Sequence, residues 1–142
     1  MMKCEQVMTK NPVCCFQNDD VVKAAKLMKR EDIGSIPIIE DAKTNKLVGI
    51  LTDRDLAIKV IAEGRVSQSV LVGQVMTRDL ITCSKDDDLQ KAMDLMAEHQ
   101  LRRIPIVNSE NMIVGIISQA DVATRFDQPE KTASMVKEIS QP

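Results

Sequence analysis

The sequence predicts a mixed α/β fold in which two β-α-β-β-α motifs pack with pseudo-two-fold symmetry. The first observation behind this is an internal duplication: residues 7–40 align with 75–108, and 47–57 with 113–123, giving 18 identities in 45 positions once a two-residue gap is allowed. Segments of average composition would share about two or three, so the repeat is genuine and governs the rest of the reading. The second is that both copies show the same succession of strand-like and helix-like periodicity. The third is size. A chain of 142 residues, 44% hydrophobic, suits one shared core built from two halves that would each be marginal alone. The expected division is 1–66 for the first motif, 67–127 for the second and 128–142 for a C-terminal tail. A cleft between two related halves is the expected place of binding.

Each element follows from its local pattern. Residues 12–16, and 80–83 in the second copy, read as short strands. The acidic caps Asn18-Asp19-Asp20 and Asp86-Asp87-Asp88 come next, where a helix N-terminus favours negative charge. Helical apolar spacing then runs through Val21, Ala24, Ala25 and Met28, and through Leu89, Ala92, Met93 and Met96. That spacing fits core packing better than a methionine-lined partner groove. Ile36-Pro37-Ile38-Ile39 and Ile104-Pro105-Ile106-Val107 are predicted strands, with the proline at an edge or entry. Polar turns over 41–46 and 109–111 lead to a third strand, 47–51 or 113–117, and a closing helix starts after Thr52 or Ser118. Residues 64–73 read as the joint between copies. In the tail, Pro129 suits a first helical turn before a weakly helical stretch over 130–139; whether this stretch docks is not legible.

Composition excludes several function classes. Net charge is -2 with both signs interspersed, and Phe16 and Phe126 are the only aromatics. This argues against a general nucleic-acid or membrane surface and against base-stacking platforms. No apolar run approaches the length of a membrane span and the N-terminal residues lack a signal-like stretch, so a soluble cytoplasmic protein is expected. The cysteines, Cys4, Cys14, Cys15 and Cys83, have no CxxC spacing, and His99 is the sole histidine. No metal site is expected from these residues. Inert, packed thiols are expected, and Cys15 and Cys83 are repeat equivalents. His99 is expected to end a helix at the surface. No nucleophile, base or phosphate-loop arrangement emerges, so no catalytic residue is assigned.

The motif with chemical content is Gly49-Ile50-Leu51-Thr52-Asp53-Arg54-Asp55, echoed as Gly115-Ile116-Ile117-Ser118-Gln119-Ala120-Asp121. One reading is a capping box, a hydroxyl followed three residues later by an acid. The other is a carboxylate aimed from a strand-to-helix junction at the hydroxyls of a ribose. The two are compatible, because the cap fixes the turn that aims the acid.

Paired Val-Met-Thr starts, Ile33-Gly34-Ser35-Ile36-Pro37-Ile38 against Leu101-Arg102-Arg103-Ile104-Pro105-Ile106, and the two Gly-Ile-x-Thr/Ser-x-x-Asp endings together resemble a tandem cystathionine-β-synthase (CBS) domain protein. The resemblance runs from about residue 4 to residue 126. It implies paired β-α-β-β-α motifs whose clefts receive AMP, ADP, ATP or S-adenosylmethionine as ligand, with no cofactor required, and a homodimer of such modules. Residue by residue it implies ribose contact by Thr52, Asp55, Ser118 and Asp121, and an adenine cleft lined by Ile33, Gly34, Ile50 and Ile116. It also implies phosphate contact by Arg102 and Arg103, whose counterparts Gly34 and Ser35 carry no charge. The expected function is an adenine-nucleotide-responsive regulatory module, not an enzyme, acting on an unidentified regulated protein. A constitutive assembly module with vestigial clefts is the alternative.

Overall fold

The computed structural model describes residues 1–142 and contains seven strands in two sheets and six α-helices. In chain order these are β1 (Thr9–Lys10), β2 (Cys15–Phe16), α1 (Val21–Glu31), β3 (Ser35–Ile39), β4 (Leu47–Thr52), α2 (Asp53–Leu56) and α3 (Val72–Val75). The second half continues with β5 (Cys83–Ser84), α4 (Leu89–Glu98), β6 (Arg103–Val107), β7 (Ile113–Ser118), α5 (Gln119–Arg125) and α6 (Pro129–Ile139). The mixed α/β class and the repeated element order are as the sequence predicts. The joint over 64–73 is more ordered than its composition suggests: it carries a 3-10 turn at Ser67–Ser69 and the start of α3.

The compact units cut across the repeats. One comprises Val13–Leu80, and the other comprises Met1–Pro12 together with Ile81–Pro142. The leading segment of each repeat therefore packs with the body of the other. In the contiguous unit the sheet order is β2-β3-β4, and Thr77 forms an isolated bridge to Ile50 of β4. In the split unit the order is β1-β7-β6-β5, with Thr9 opposite Ile116 and Lys10 opposite Gly115.

Pro37 and Pro105 lie mid-strand, not at an edge or entry. The ladder explains the tolerance. Pro37 sits opposite Ile50, whose N–H and C=O both bond to Thr77 (2.9 and 2.8 Å) and so turn away from β3. On the other side, β2 begins its pairing only at Cys15 with Ile38, so no partner requires the missing donor. The helices begin where the acids predict: Asp20 accepts from the Lys23 N–H at 2.9 Å, and Asp88 from the Gln90 N–H at 3.0 Å. His99 is the exposed C-cap of α4.

Each unit has its own core. Val21, Ala24, Met28, Ile36, Ile38 and Leu51 anchor that of the contiguous unit. Leu89, Met93, Met96, Ile104, Ile106 and Ile117 anchor that of the split unit. The equivalence of the repeats breaks in the helix that follows the first strand of each. Met93 is buried, whereas its counterpart Ala25 is exposed. The cause is α6, which docks its buried Met135 and Ile139 against α4 and α5 and has no counterpart over α1. The tail thus forms part of the split core.

Cys4, Cys15 and Cys83 are buried, and desolvation pushes both Cys14 and Cys15 up to about 11. The Cys4 thiol is also raised, by its contact with the Cys83 sulfur and by burial.

Candidate functional site

The strand-to-helix junctions are built alike in both units. Thr52 Oγ1 accepts the Asp55 N–H, and Asp55 Oδ2 accepts the Thr52 N–H, each at 3.0 Å. Ser118 and Asp121 reproduce the pair, again at 3.0 Å each way. These are complete capping boxes at the starts of α2 and α5. Capping alone does not account for what surrounds each acid.

Asp55 is the one buried charged residue, 7% exposed. Besides the cap, its carboxylate accepts the Thr77 hydroxyl at 3.4 Å from either oxygen and lies 3.0 Å from Lys59 Nζ. Asp121 accepts the Thr9 hydroxyl at 3.2 and 3.4 Å, with Arg125 Nη2 at 3.9 Å. The cations have a second task. Lys59 donates to the Val75 carbonyl at 3.0 Å, and Arg125 donates to the carbonyls of Val7 at 2.9 Å and Met8 at 3.3 Å. A hydroxyl and a cation thereby fasten each Val-Met-Thr segment to the acid of the opposite repeat. Burial of a carboxylate is tolerable only with such partners.

The segments can approach this closely because the strands carry glycine where they pass. A Cβ on Gly49 would lie 2.5 Å from Met76 Sδ and 3.1 Å from the Thr77 carbonyl oxygen. One on Gly115 would lie 2.7 Å from Met8 Cγ and 3.0 Å from the Thr9 carbonyl oxygen, besides meeting Met8 Sδ.

The remaining residues expected at the site fall around these junctions. The Gly34 carbonyl accepts the Asp53 N–H at 2.9 Å, and Ser35 pairs with Thr52, which sets Gly34 beside the first turn of α2. Ile33 is half-buried next to it, and Ile50 is half-buried on β4 opposite Thr77. In the split unit, Ile116 is half-buried opposite Thr9. The Arg102 carbonyl accepts the Gln119 N–H at 3.0 Å, and Arg103 pairs with Ser118. Both arginines are exposed, and neither guanidinium joins an ion pair. Sequence reasoning missed Thr9, Thr77, Lys59 and Arg125. The signal was present in the duplicated Val-Met-Thr and in a basic residue four positions after each acid.

A family model described as CBS domain matches residues 4–62 and 72–127, the second match beginning where α3 does. The chain belongs to the CBS domain family. It is 36% identical over 140 residues to the CBS domain-containing protein YhcV of Bacillus subtilis, covering 99% of this chain and 96% of that one. Among solved structures, it is similar to Hypoxic Response Protein I with two coordinated zinc ions (TM-score 0.79, 30% identity, 88% of this chain and 99% of that one). It is likewise similar to the CBS domain pair of protein MJ0100 in complex with 5'-methylthioadenosine and S-adenosyl-L-methionine (TM-score 0.76, 27% identity, 89% of this chain and 96% of that one). In the present chain no three His, Cys, Asp or Glu side chains lie close enough together to hold a metal ion. No helix is long and apolar enough to cross a membrane.

Proposed function

We propose that this CBS chain is a cytoplasmic regulatory module that binds an adenosine ligand (AMP, ADP, ATP or S-adenosylmethionine) and passes the signal to another protein, without catalysis of its own. The observation that carries this reading is that the carboxylate cage at the strand-to-helix junction is built twice, with Asp55 and Asp121 each held by a cap, a hydroxyl and a cation. The MJ0100 pair, of the same fold, binds adenosine compounds. In this reading Thr52, Asp55, Ser118 and Asp121 receive the ribose hydroxyls. Ile33, Gly34, Ile50 and Ile116 face the base, and Arg102 and Arg103 neutralise phosphate.

A ligand titration by calorimetry tests it. Adenosine nucleotides are expected to bind more tightly than guanosine nucleotides, and Asp55→Asn or Asp121→Asn to weaken one site each by about 1.5–3 kcal/mol. Replacing Arg102 and Arg103 by Gln is expected to weaken AMP more than adenosine. Absence of heat with every adenosine ligand at millimolar concentration would overturn the proposal.

One observation favours the second reading, a constitutive assembly module. The oxygens of Asp55 already accept from Thr52, Thr77 and Lys59, so a ribose must displace or share those donors. A melting temperature unmoved by every adenosine ligand, with the acid variants merely less stable, would select that reading.

Self-association belongs to the proposal as well. Ile58 and Ile61 stand 49% and 75% exposed beyond α2, although Val60 between them is buried. Homodimerisation through this face predicts a light-scattering mass of two chains that falls towards one in Ile58→Asp. A single-chain mass for the parent protein would rule it out.

A further inference from the structure

We propose that Cys4 and Cys83 form a peroxide-reactive thiol pair whose oxidation to a disulfide fastens the leading segment, residues 1–12, to the rest of the split unit. The repeat supplies an internal comparison. Cys83 and its counterpart Cys15 are placed alike, each buried on the strand that leads into the helix. Behind each strand an acid closes the turn: Asp87 accepts the Ser84 N–H at 2.8 Å, and Asp19 accepts the Phe16 N–H at 2.9 Å. A lysine four residues on pairs with that acid in both units, Lys91 at 3.3 Å and Lys23 at 3.1 Å. The difference lies in the segment packed over them. The Cys4 N–H donates to the Asp87 carbonyl at 2.9 Å where the Val72 N–H donates to the Asp19 carbonyl at 2.8 Å, so residues 4 and 72 hold equivalent buried places. Val72 can offer Cys15 only methyl groups. Cys4 offers Cys83 a second sulfur and donates a hydrogen bond to it.

That second sulfur sets the chemistry. Cys15, with no thiol opposite, is pushed up to about 11 by burial, whereas Cys83 is lowered, first by the hydrogen bond from Cys4. Cys83 is therefore the nucleophile and Cys4 the thiol that resolves it. The Cys83 thiolate attacks one oxygen of hydrogen peroxide; the O–O bond breaks, hydroxide leaves, and Cys83 becomes a sulfenic acid. The Cys4 sulfur then attacks the sulfenic sulfur, forming the S–S bond as the S–O bond breaks, and the Cys4 proton leaves with that oxygen as water. The hydroxide takes up the proton that Cys83 lost, so the two thiols give up two electrons and two protons and the peroxide becomes two waters. Both sulfurs are buried, but Cys4 lies between exposed Lys3 and half-buried Glu5, and a small opening of the leading segment admits an oxidant little larger than water. The link closes a loop around the whole contiguous unit. It fixes Val7-Met8-Thr9 beside β7, and with them the Thr9 hydroxyl on Asp121, whether or not a ligand occupies that cage. Where thiols are kept reduced, such a link is transient and suits sensing.

The test treats the full reduced chain with millimolar hydrogen peroxide, alkylates the remaining thiols and maps tryptic peptides by mass spectrometry. The expected product is a peptide pair joined through Cys4 and Cys83 and separated by dithiothreitol, with Cys14 and Cys15 alkylated. Hydrogen exchange of the Glu5, Val7 and Met8 amides should slow about tenfold or more on oxidation and recover on reduction, because the tether suppresses opening of the segment. Cys4→Val copies the packing of the contiguous unit. It should abolish both the link and the slowing, and should make Cys83 about tenfold or more slower to react with peroxide. The proposal is overturned if peroxide leaves Cys4 and Cys83 as thiols, carries Cys83 to a sulfinic acid without a link, or joins either cysteine to Cys14, to Cys15 or to a second chain instead. It is equally overturned if the linked protein exchanges those amides as fast as the reduced one, or if Cys4→Val reacts at Cys83 as fast as the parent.

Discussion

Met135→Ala is expected to cost the split unit about 2–5 kcal/mol, the range for truncating a buried methionine in a packed core. Met135 is 3% exposed and sits in one cluster with Met93, Met96 and Ile139, so its removal leaves a void beneath α6. The loss should be read as a lower urea midpoint for the transition that includes α4. Glu130→Ala, on the exposed side of the same helix, should leave the stability within about 0.5 kcal/mol of the parent's, as surface changes generally do. A Met135→Ala protein as stable as the parent would mean that α6 does not cover α4 in solution.

Gly115→Ala is the second large effect, about 1–3 kcal/mol by overpacking. The added methyl meets Met8, whose side chain has some freedom to move, and also the Thr9 carbonyl at 3.0 Å, which belongs to a strand paired with β7 and has little. Relief therefore requires β1 to shift, and Thr9 leaves its contact with Asp121 as it does so. A double-mutant cycle with Met8→Ala separates the two obstacles. Strong coupling is expected, because the double variant keeps only the backbone clash. Additive losses from the two substitutions would mean that Met8 does not pack over Gly115.

What was legible in the sequence was local. The capping boxes at Thr52–Asp55 and Ser118–Asp121 span four residues, and their hydroxyl and acid types state the geometry by themselves. The helix starts at Asp20 and Asp88 and the strands around Pro37 and Pro105 were equally near the surface of the pattern, although the prolines' mid-strand position depended on Ile50 turning towards Thr77. What was not legible was long-range. The Thr9–Asp121 contact joins residues 112 apart and the Thr77–Asp55 contact joins residues 22 apart, so no spacing rule reports them. Ala25 shared the helical apolar pattern of Met93, yet one is exposed and the other buried, because burial depended on where α6 settles. The residues after Leu56 also departed from the repeat: Ala57–Ile61 forms a π-helical turn where α5 stays α-helical.

The exchange of leading segments has a consequence for how the molecule is made. Residues 13–80 form an uninterrupted stretch, so their unit can close as soon as it leaves the ribosome. Residues 1–12 emerge earlier still but must wait, since the turn that receives Cys4 near Asp87 and their strand partner β7 are synthesised only after residue 80. Closing a loop that long adds little to the final stability ledger but slows the search for it. During that interval the Val7-Met8-Thr9 segment is without its partners, and the Asp121 cage cannot close until Arg125 has been made.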